Sequence, residues 1–154
     1  MKPIELPAYD GAVLRLILEA ESAAAFDDLT RSGRDALLVQ QERSAWPNFF
    51  RTARYIPAVE YIQATRVRYQ LIQDMHKLMS EVDVYVAPSF SGGNLGLTNN
   101  SGHPAVVVPN GFNQDGTPTS ITFTGRLYDE ALVLAVARQY QEAAGFYKQR
   151  PKLD

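Results

Sequence analysis

Asp83-Val84-Tyr85-Val86-Ala87-Pro88, then Ala105-Val106-Val107-Val108-Pro109-Asn110-Gly111, then Thr119-Ser120-Ile121-Thr122-Phe123-Thr124-Gly125 decide the fold of this chain. The first segment reads as a short strand over Val82 to Ala87, ended by Pro88, which has no N–H to give to a ladder. The second reads as a strand from Ala105 to Val108. Its three consecutive valines are apolar on both faces, which fits a strand covered on both sides and makes Val107 a core residue. The third alternates, with Ile121 and Phe123 on one face and Ser120, Thr122 and Thr124 on the other. Asn113-Gln114-Asp115-Gly116 lies between the last two and has turn chemistry, with Gly116 free to take positive φ. The second and third strands are therefore expected to form an antiparallel hairpin.

Outward from these strands the period changes to helical. Before them, Pro57 to about Glu81 carries Ala64, Val67, Leu71, Met75, Leu78 and Val82 at three- and four-residue steps. After them, Tyr128 to Ala144 places Leu132, Val136, Tyr140 and Ala143 on one face. Acidic Asp129 and Glu130 lie in its first turn, and Gly145 stops it. Further upstream, Asp10-Gly11 opens a helical stretch to about Leu29, broken by Thr30, Ser32 and Gly33. A short helix is expected over Arg34 to Arg43, and a packed aromatic loop over Ser44 to Tyr55. The fold class is α/β, with helices packed on a small mixed β-sheet.

The chain has 154 residues, which suits one domain, 1–154, or a piece of a larger one. A net charge of −2 gives no electrostatic reason to expect nucleic acid or an anionic membrane. There is no cysteine, so disulfides, thiolate metal sites and a cysteine nucleophile are excluded. No segment approaches the ~20 apolar residues that cross a bilayer, and the first ten do not read as a secretory signal. A cytoplasmic chain is expected.

Chemistry-bearing residues are few. Ser89-Phe90-Ser91-Gly92-Gly93 lacks the glycine of a nucleophile elbow and reads as a flexible loop. Ser101 and His103 are two residues apart, where hydroxyl and imidazole rarely align, so His103 reads as structural. His76 is far from His103 in sequence, and no metal site or cofactor is implied. Ser120, Thr122 and Thr124 read as a solvated hairpin face or as a polar wall for a ligand. Asn99 and Ser101 are candidates for hydrogen bonding a loop or a ligand. Arg51 and Arg54 are candidates for an anionic group, although acids interleaved along the neighbouring helix also suit a solvated face.

Four pieces, in order, carry a family resemblance. They are Asp83-Val84-Tyr85-Val86-Ala87-Pro88; Asn99 followed by Gly102-His103-Pro104-Ala105-Val106-Val107-Val108-Pro109-Asn110-Gly111; Gly116-x-Pro118; and Gly125-x-x-Tyr128-Asp129-Glu130-x-Leu132. They resemble the C-terminal part of the amidase signature family, which includes bacterial amidases and the A subunit of glutamyl-tRNA amidotransferase. Weaker similarity at Glu19 to Phe26 and at Tyr61-x-x-Ala64 through Arg68 extends it over nearly the whole chain. The resemblance implies hydrolysis of amide C–N bonds by a serine nucleophile, a second serine on a cis peptide bond, and a lysine. Those groups lie in the family's N-terminal and central parts, and nothing here matches them. The lysines, Lys2, Lys77, Lys148 and Lys152, sit outside any buried apolar run.

On this mapping the chain has no catalytic residue and supplies scaffold and a substrate-channel wall, with Asn99, Ser101, Thr122, Arg51 and Arg54 toward the substrate. The partners implied are a small-molecule amide in the full-length parent, and either an absent N-terminal amidase part or further copies of the chain. Amidotransferase relatives carry an acid in the loop before the position of Asn99. Gly92 to Thr98 has none, which favours a general amidase acting on a small or aromatic amide. The reading from another class is a stand-alone binding or interaction module that keeps the scaffold without the chemistry.

Overall fold

Asp10 starts the first helix because its carboxylate accepts a hydrogen bond from the Ala12 N–H at 2.8 Å, satisfying one of the free amides of the first turn. In the computed structural model, which describes residues 1–90 and 92–151, that helix is α1, Gly11–Ala25. The chain divides into two compact units, one of Tyr9–Gln70 and one of Met1–Ala8 with Leu71 onward.

The Tyr9–Gln70 unit is helical. After α1 the chain breaks at Phe26, earlier than the expected Leu29, and α2 follows at Asp27–Arg31. Only a 3-10 turn, Arg34–Leu37, forms in place of the expected helix to Arg43. Conversely, the aromatic stretch expected to be a loop contains α3, Trp46–Thr52, with Pro47 in its first turn, where a missing N–H costs no helical bond. A 3-10 turn, Ala53–Tyr55, follows. The aromatic rings explain the helix: Phe50 stacks on Phe26 with centroids 5.0 Å apart and lies 5.8 Å from Trp46. The Arg15 guanidinium sits 4.8 Å from the centre of the Phe49 ring. Ring packing against α1 overrides the weak local helix signal.

α4, Ala58–Met79, begins just after Pro57 and buries Ala64, Leu71, Met75 and Met79. In the second unit its end is fixed by Arg126, whose Nε donates to the carbonyls of Met79 (3.0 Å) and Val82 (3.2 Å) while Nη2 reaches Asp83 at 2.8 Å. Then come β1 (Val84–Pro88), α5 (Asn94–Ser101), β2 (Ala105–Phe112), β3 (Pro118–Gly125) and α6 (Glu130–Ala144). α5 is not among the expected helices and follows the stretch 89–93 that reads as a loop. Ser91, in that stretch, lies outside the described residues.

The sheet order is β1-β3-β2, and both pairings are antiparallel. The expected sheet was mixed. β1 and β2 do run the same way, but β3 separates them, so no parallel pair forms. The hairpin and its turn match expectation: Gly116 has φ +82°, its N–H donates to the Asn113 carbonyl at 3.0 Å, and Asn113 N–H donates to the Thr117 carbonyl at 2.8 Å.

Val108, Phe123, Val133 and Ala137 form the core under α6, with Val84, Val106, Ile121, Val136 and Tyr140 packed against them. Val107 is not core. It points to the opposite face of edge strand β2 and is 59% exposed. Three valines in a row alternate sides whatever their chemistry, and α6 covers only the side that carries Val106 and Val108. Gly125 permits close approach at the end of β3, because a Cβ there would lie 2.1 Å from Val133 Cγ2.

Candidate functional site

The face of the sheet opposite α6 is where the hydroxyls gather. Strand alternation puts Tyr85, Ala87 and Ser89 on this side of β1 and its continuation, and the register sets Tyr85 beside Thr124 and Ala87 beside Thr122. The Ser89 N–H extends the ladder by one step, donating to the Ser120 carbonyl at 3.4 Å. The side chains then close a small network. Ser120 Oγ donates to Ser89 Oγ at 2.8 Å, and Thr122 Oγ1 donates to the same atom at 3.0 Å. Thr122, Thr124 and Ser89 are buried and Ser120 is half-buried. The simpler reading of this face, a solvated hairpin surface, does not hold.

α5 contributes polar groups. Its buried residues, Asn94, Leu97, Thr98 and Ser101, recur at helical spacing, and all but Leu97 are polar. Gly93 and Gly102, both left-handed, cap its two ends. The Tyr85 hydroxyl donates to Asn94 Oδ1 at 2.6 Å. Burial pushes the Tyr85 phenol above its ordinary pKa, so it stays a neutral donor. The nearby Thr124 hydroxyl acts in the opposite sense, yet it closes no hydrogen bond of normal geometry and is fully buried.

Ser101 and His103 do align, against the expectation from their spacing: Oγ and Nδ1 are 2.8 Å apart, and both residues are buried. The left-handed Gly102 between them folds the chain back so that the two side chains meet. Burial lowers the His103 pKa, and the charge of His76 lowers it further. His103 also lines a cleft of about 580 Å³ with His76, Met79, Ser80, Arg126 and Leu127. No carboxylate is hydrogen bonded to His103 among the described residues, so the pair lacks the third group of a catalytic triad.

The remaining candidates have other surroundings. Asn99 is exposed on α5. Arg51 and Arg54 belong to the helical unit and are engaged there. Arg51 holds Asp35, which is buried, with Nη2 at 2.5 Å and Nε at 2.6 Å from Oδ2. Arg54 pairs with Asp27, whose carboxyl is held below the usual range by Arg31 first and Arg54 second. Arg54 also lines an alanine-rich cleft of about 510 Å³ with Ala20, Ala23, Ala24, Ala53 and Tyr61. Thr122 and Ser101 thus lie in buried polar networks of the sheet-bearing unit, and the two arginines serve ion pairs of the other. Tyr85 and Asn94 are members of these polar networks that the sequence does not single out, and Ser89, read there as part of a flexible loop, is another. Period-two counting back from Ser89 is the available signal for Tyr85.

No family model matches the chain. It is 32% identical to the A subunit of glutamyl-tRNA(Gln) amidotransferase from Synechococcus sp. (strain CC9902), over 96% of the chain and 34% of that protein. It is 28% identical to the putative amidase AmiD of Mycobacterium tuberculosis (strain ATCC 25618 / H37Rv), over 62% of the chain and 25% of that protein. The fold is that of a bacterial aryl acylamidase of the amidase signature enzymes, with a TM-score of 0.74 at 18% identity, over 97% of this chain and 39% of that one. The chain spans about a third or less of the length of the curated amidotransferase relatives it matches, 34% in the Synechococcus protein and 25% in one from Prochlorococcus marinus (strain NATL2A). With the ordered pieces from Asp83 to Leu132 and the hydroxyl-faced antiparallel sheet, these likenesses place the chain in the amidase signature family, as the C-terminal part of the family's fold.

Proposed function

We propose that this chain is the C-terminal portion of a hydrolase of amide C–N bonds, supplying scaffold and one wall of the substrate channel while the nucleophile and its lysine base come from elsewhere in the parent. The observation that carries the reading is the uncharged hydroxyl face built by Ser89, Ser120, Thr122 and Tyr85. It orients polar groups and offers no base. Among the described residues no lysine is buried: Lys2 is ion-paired with Glu81 at 2.9 Å, and Lys77 and Lys148 are exposed. A lysine base needs desolvation or a neighbouring cation to lose its proton near neutral pH.

The substrate side is equally neutral. Between Pro88 and Ala105 there is no Asp, Glu, Lys or Arg, and His103, the one ionisable side chain there with a charge near neutrality, is held toward its uncharged form. An α-amino acid substrate would find no ion-pair partner in this segment. A small alkyl or aryl amide suits it better, which favours a general amidase over an amidotransferase. The setting in this reading is cytoplasmic; among the described residues no helix is long and apolar enough to cross a membrane.

The purified chain should not hydrolyse aryl or aliphatic amides, because loss of such a nucleophile costs on the order of 10⁶-fold in turnover. A sensitive ammonia- or amine-release assay over a panel of amides checks this. Turnover abolished by Ser101→Ala or Ser91→Ala would overturn the reading and place a nucleophile in this chain.

A further inference from the structure

His103 is nearly enclosed, at 6% exposure, yet only one of its ring nitrogens is used inside the fold. Nδ1 lies 2.8 Å from the Ser101 hydroxyl, whose alternative acceptor, the Thr98 carbonyl, is 3.5 Å away. The hydroxyl therefore donates across the shorter contact, to Nδ1. Burial keeps the ring neutral, so its single proton sits on Nε2. Nε2 has no hydrogen-bond partner among the described residues. It is not sealed in either, because among those residues the one fully enclosed side-chain nitrogen or oxygen without a partner is Thr124 Oγ1. The N–H of Nε2 is thus left for whatever enters the cleft that His103 lines. Folded proteins seldom leave a donor on so enclosed a side chain unused.

That cleft, of about 580 Å³, lies within the sheet-bearing unit, between the C-terminal end of α4 and the turn from β3 to α6. Its ionisable walls are all basic. His76, exposed on α4, stands close enough for its charge to act on His103. Arg126 spends Nε on the carbonyls of Met79 and Val82 and Nη2 on Asp83, while Nη1, with two hydrogens, has no partner among the described residues. Among those residues no carboxylate lines the cleft; Asp83, which Arg126 already holds, is not one of its walls. Leu127, half-buried, and Met79 supply apolar surface. Ser80 completes the lining but gives its hydroxyl hydrogen to the Lys77 carbonyl at 2.7 Å.

We propose that this cleft binds the carboxylate of a small organic acid, with His103 Nε2 and the Arg126 guanidinium donating to its oxygens, His76 beside them, and the acid's apolar body against Leu127 and Met79. Charge and shape both select the ligand. Taking a carboxylate out of water is offset only by charge-assisted hydrogen bonds, which a guanidinium and an imidazole supply. An ammonium would meet donors and a like charge. A metal cation would meet the same guanidinium and, with two imidazoles and no carboxylate, too few ligands for a closed site. A neutral amide would keep the hydrogen bonds and lose the ion pair, and an inorganic anion would leave the apolar wall without an occupant. The site goes beyond the channel-wall reading and does not depend on it, since neither Ser89, Ser120 nor Thr122 lines this cleft.

Benzoate, benzamide, benzylamine and inorganic phosphate, titrated separately into the ¹⁵N-labelled chain, test this by backbone-amide and histidine ring-nitrogen NMR. Benzoate is expected to move the amides of His103, Arg126 and Leu127 together with the Nε2 resonance of His103. The other three should bind about ten-fold more weakly or not at all. His103→Phe removes the Nε2 donor and should weaken benzoate binding about ten-fold or more, the loss of one hydrogen bond to a charged group. Arg126→Gln carries the same expectation, and if neither variant folds, the Nε2 shift in the parent chain decides. Absence of benzoate shifts at these residues, an unmoved Nε2, benzamide or phosphate binding as tightly as benzoate, or unchanged benzoate affinity in a folded His103→Phe or Arg126→Gln chain overturns the proposal. Those outcomes leave the channel-wall reading standing. That reading fails instead if the chain turns over amides by itself.

Discussion

At the scale of single residues, His103 shows how burial becomes a pH dependence. Its imidazole is buried, and burial first and His76 second lower its pKa in the folded chain. The unfolded chain then takes up a proton at a higher pH than the folded chain does. Stability from this residue is fully present above about pH 6.5, the unfolded value, and is lost as pH falls below it toward the lower folded value. Thermal melts between about pH 7.5 and 5.5 should show a declining melting temperature, and His103→Gln should flatten that decline. A slope unchanged in the variant would mean that other groups carry it. Residue roles are the least legible part of the sequence. Arg51 reads as a candidate for an anion or as part of a solvated face with acids of the neighbouring helix, yet its partner is neither: Asp35, sixteen positions earlier, takes it. Ser101 and His103 look misaligned because the left-handed turn at Gly102 is a backbone property that side-chain spacing does not report.

At the scale of elements, strand and helix periods are legible wherever the buried face is apolar. The stripe on α4, the hairpin with its Gly116 turn, and α6 with its glycine stop all follow from the sequence. α5 is hidden because its buried positions have helical spacing but are mostly Asn, Thr and Ser, which hydropathy does not mark. β2 misleads for the opposite reason. Its valine run suggests cover on both sides, while α6 covers one. This gives a paired expectation: Val107→Asp should leave the melting temperature close to the parent's, and Val108→Asp should abolish the cooperative melt. Val107 is 59% exposed and Val108 only 4%. Burying an unpaired carboxylate at Val108 adds several kcal/mol to the roughly 1.5–3 kcal/mol lost with the valine. Equal melts for the two variants would refute the register. Gly125 gives a second test of the β3–α6 contact. An added Cβ would stand 2.1 Å from Val133 Cγ2, and Val133 is fully buried and stiff at χ1. Gly125→Ala should therefore destabilise by about 1–3 kcal/mol, read from chemical denaturation. A Gly125→Ala, Val133→Ala double variant should recover part of that overpacking term.

At the scale of the whole molecule, the sheet has too little cover for its apolar surface. It has three strands, and within it β1 pairs on one side only. Val86 on β1, Val107 on β2 and Leu134 on α6 are each about half exposed or more, and Phe90 stands almost fully in solvent. An unpaired strand edge offers N–H and C=O groups that another chain can satisfy, and here the edge carries valines in place of the charges that usually guard it. A net charge of −2 opposes association only weakly. The isolated chain should therefore self-associate, with a two-fold dimer the commonest closed arrangement. Light scattering over a dilution series from high to low micromolar should show mass falling with concentration. Val86→Lys, which places a charge on the β1 edge, should shift the series toward monomer without lowering the melting temperature, since Val86 lies outside the core under α6. A monodisperse monomer throughout, with a sharp melt, would mean that the chain protects its own edge. That outcome would favour a stand-alone module that has kept the amidase scaffold, because a piece of a larger enzyme has no physical reason to protect the surface on which the rest of that enzyme folds.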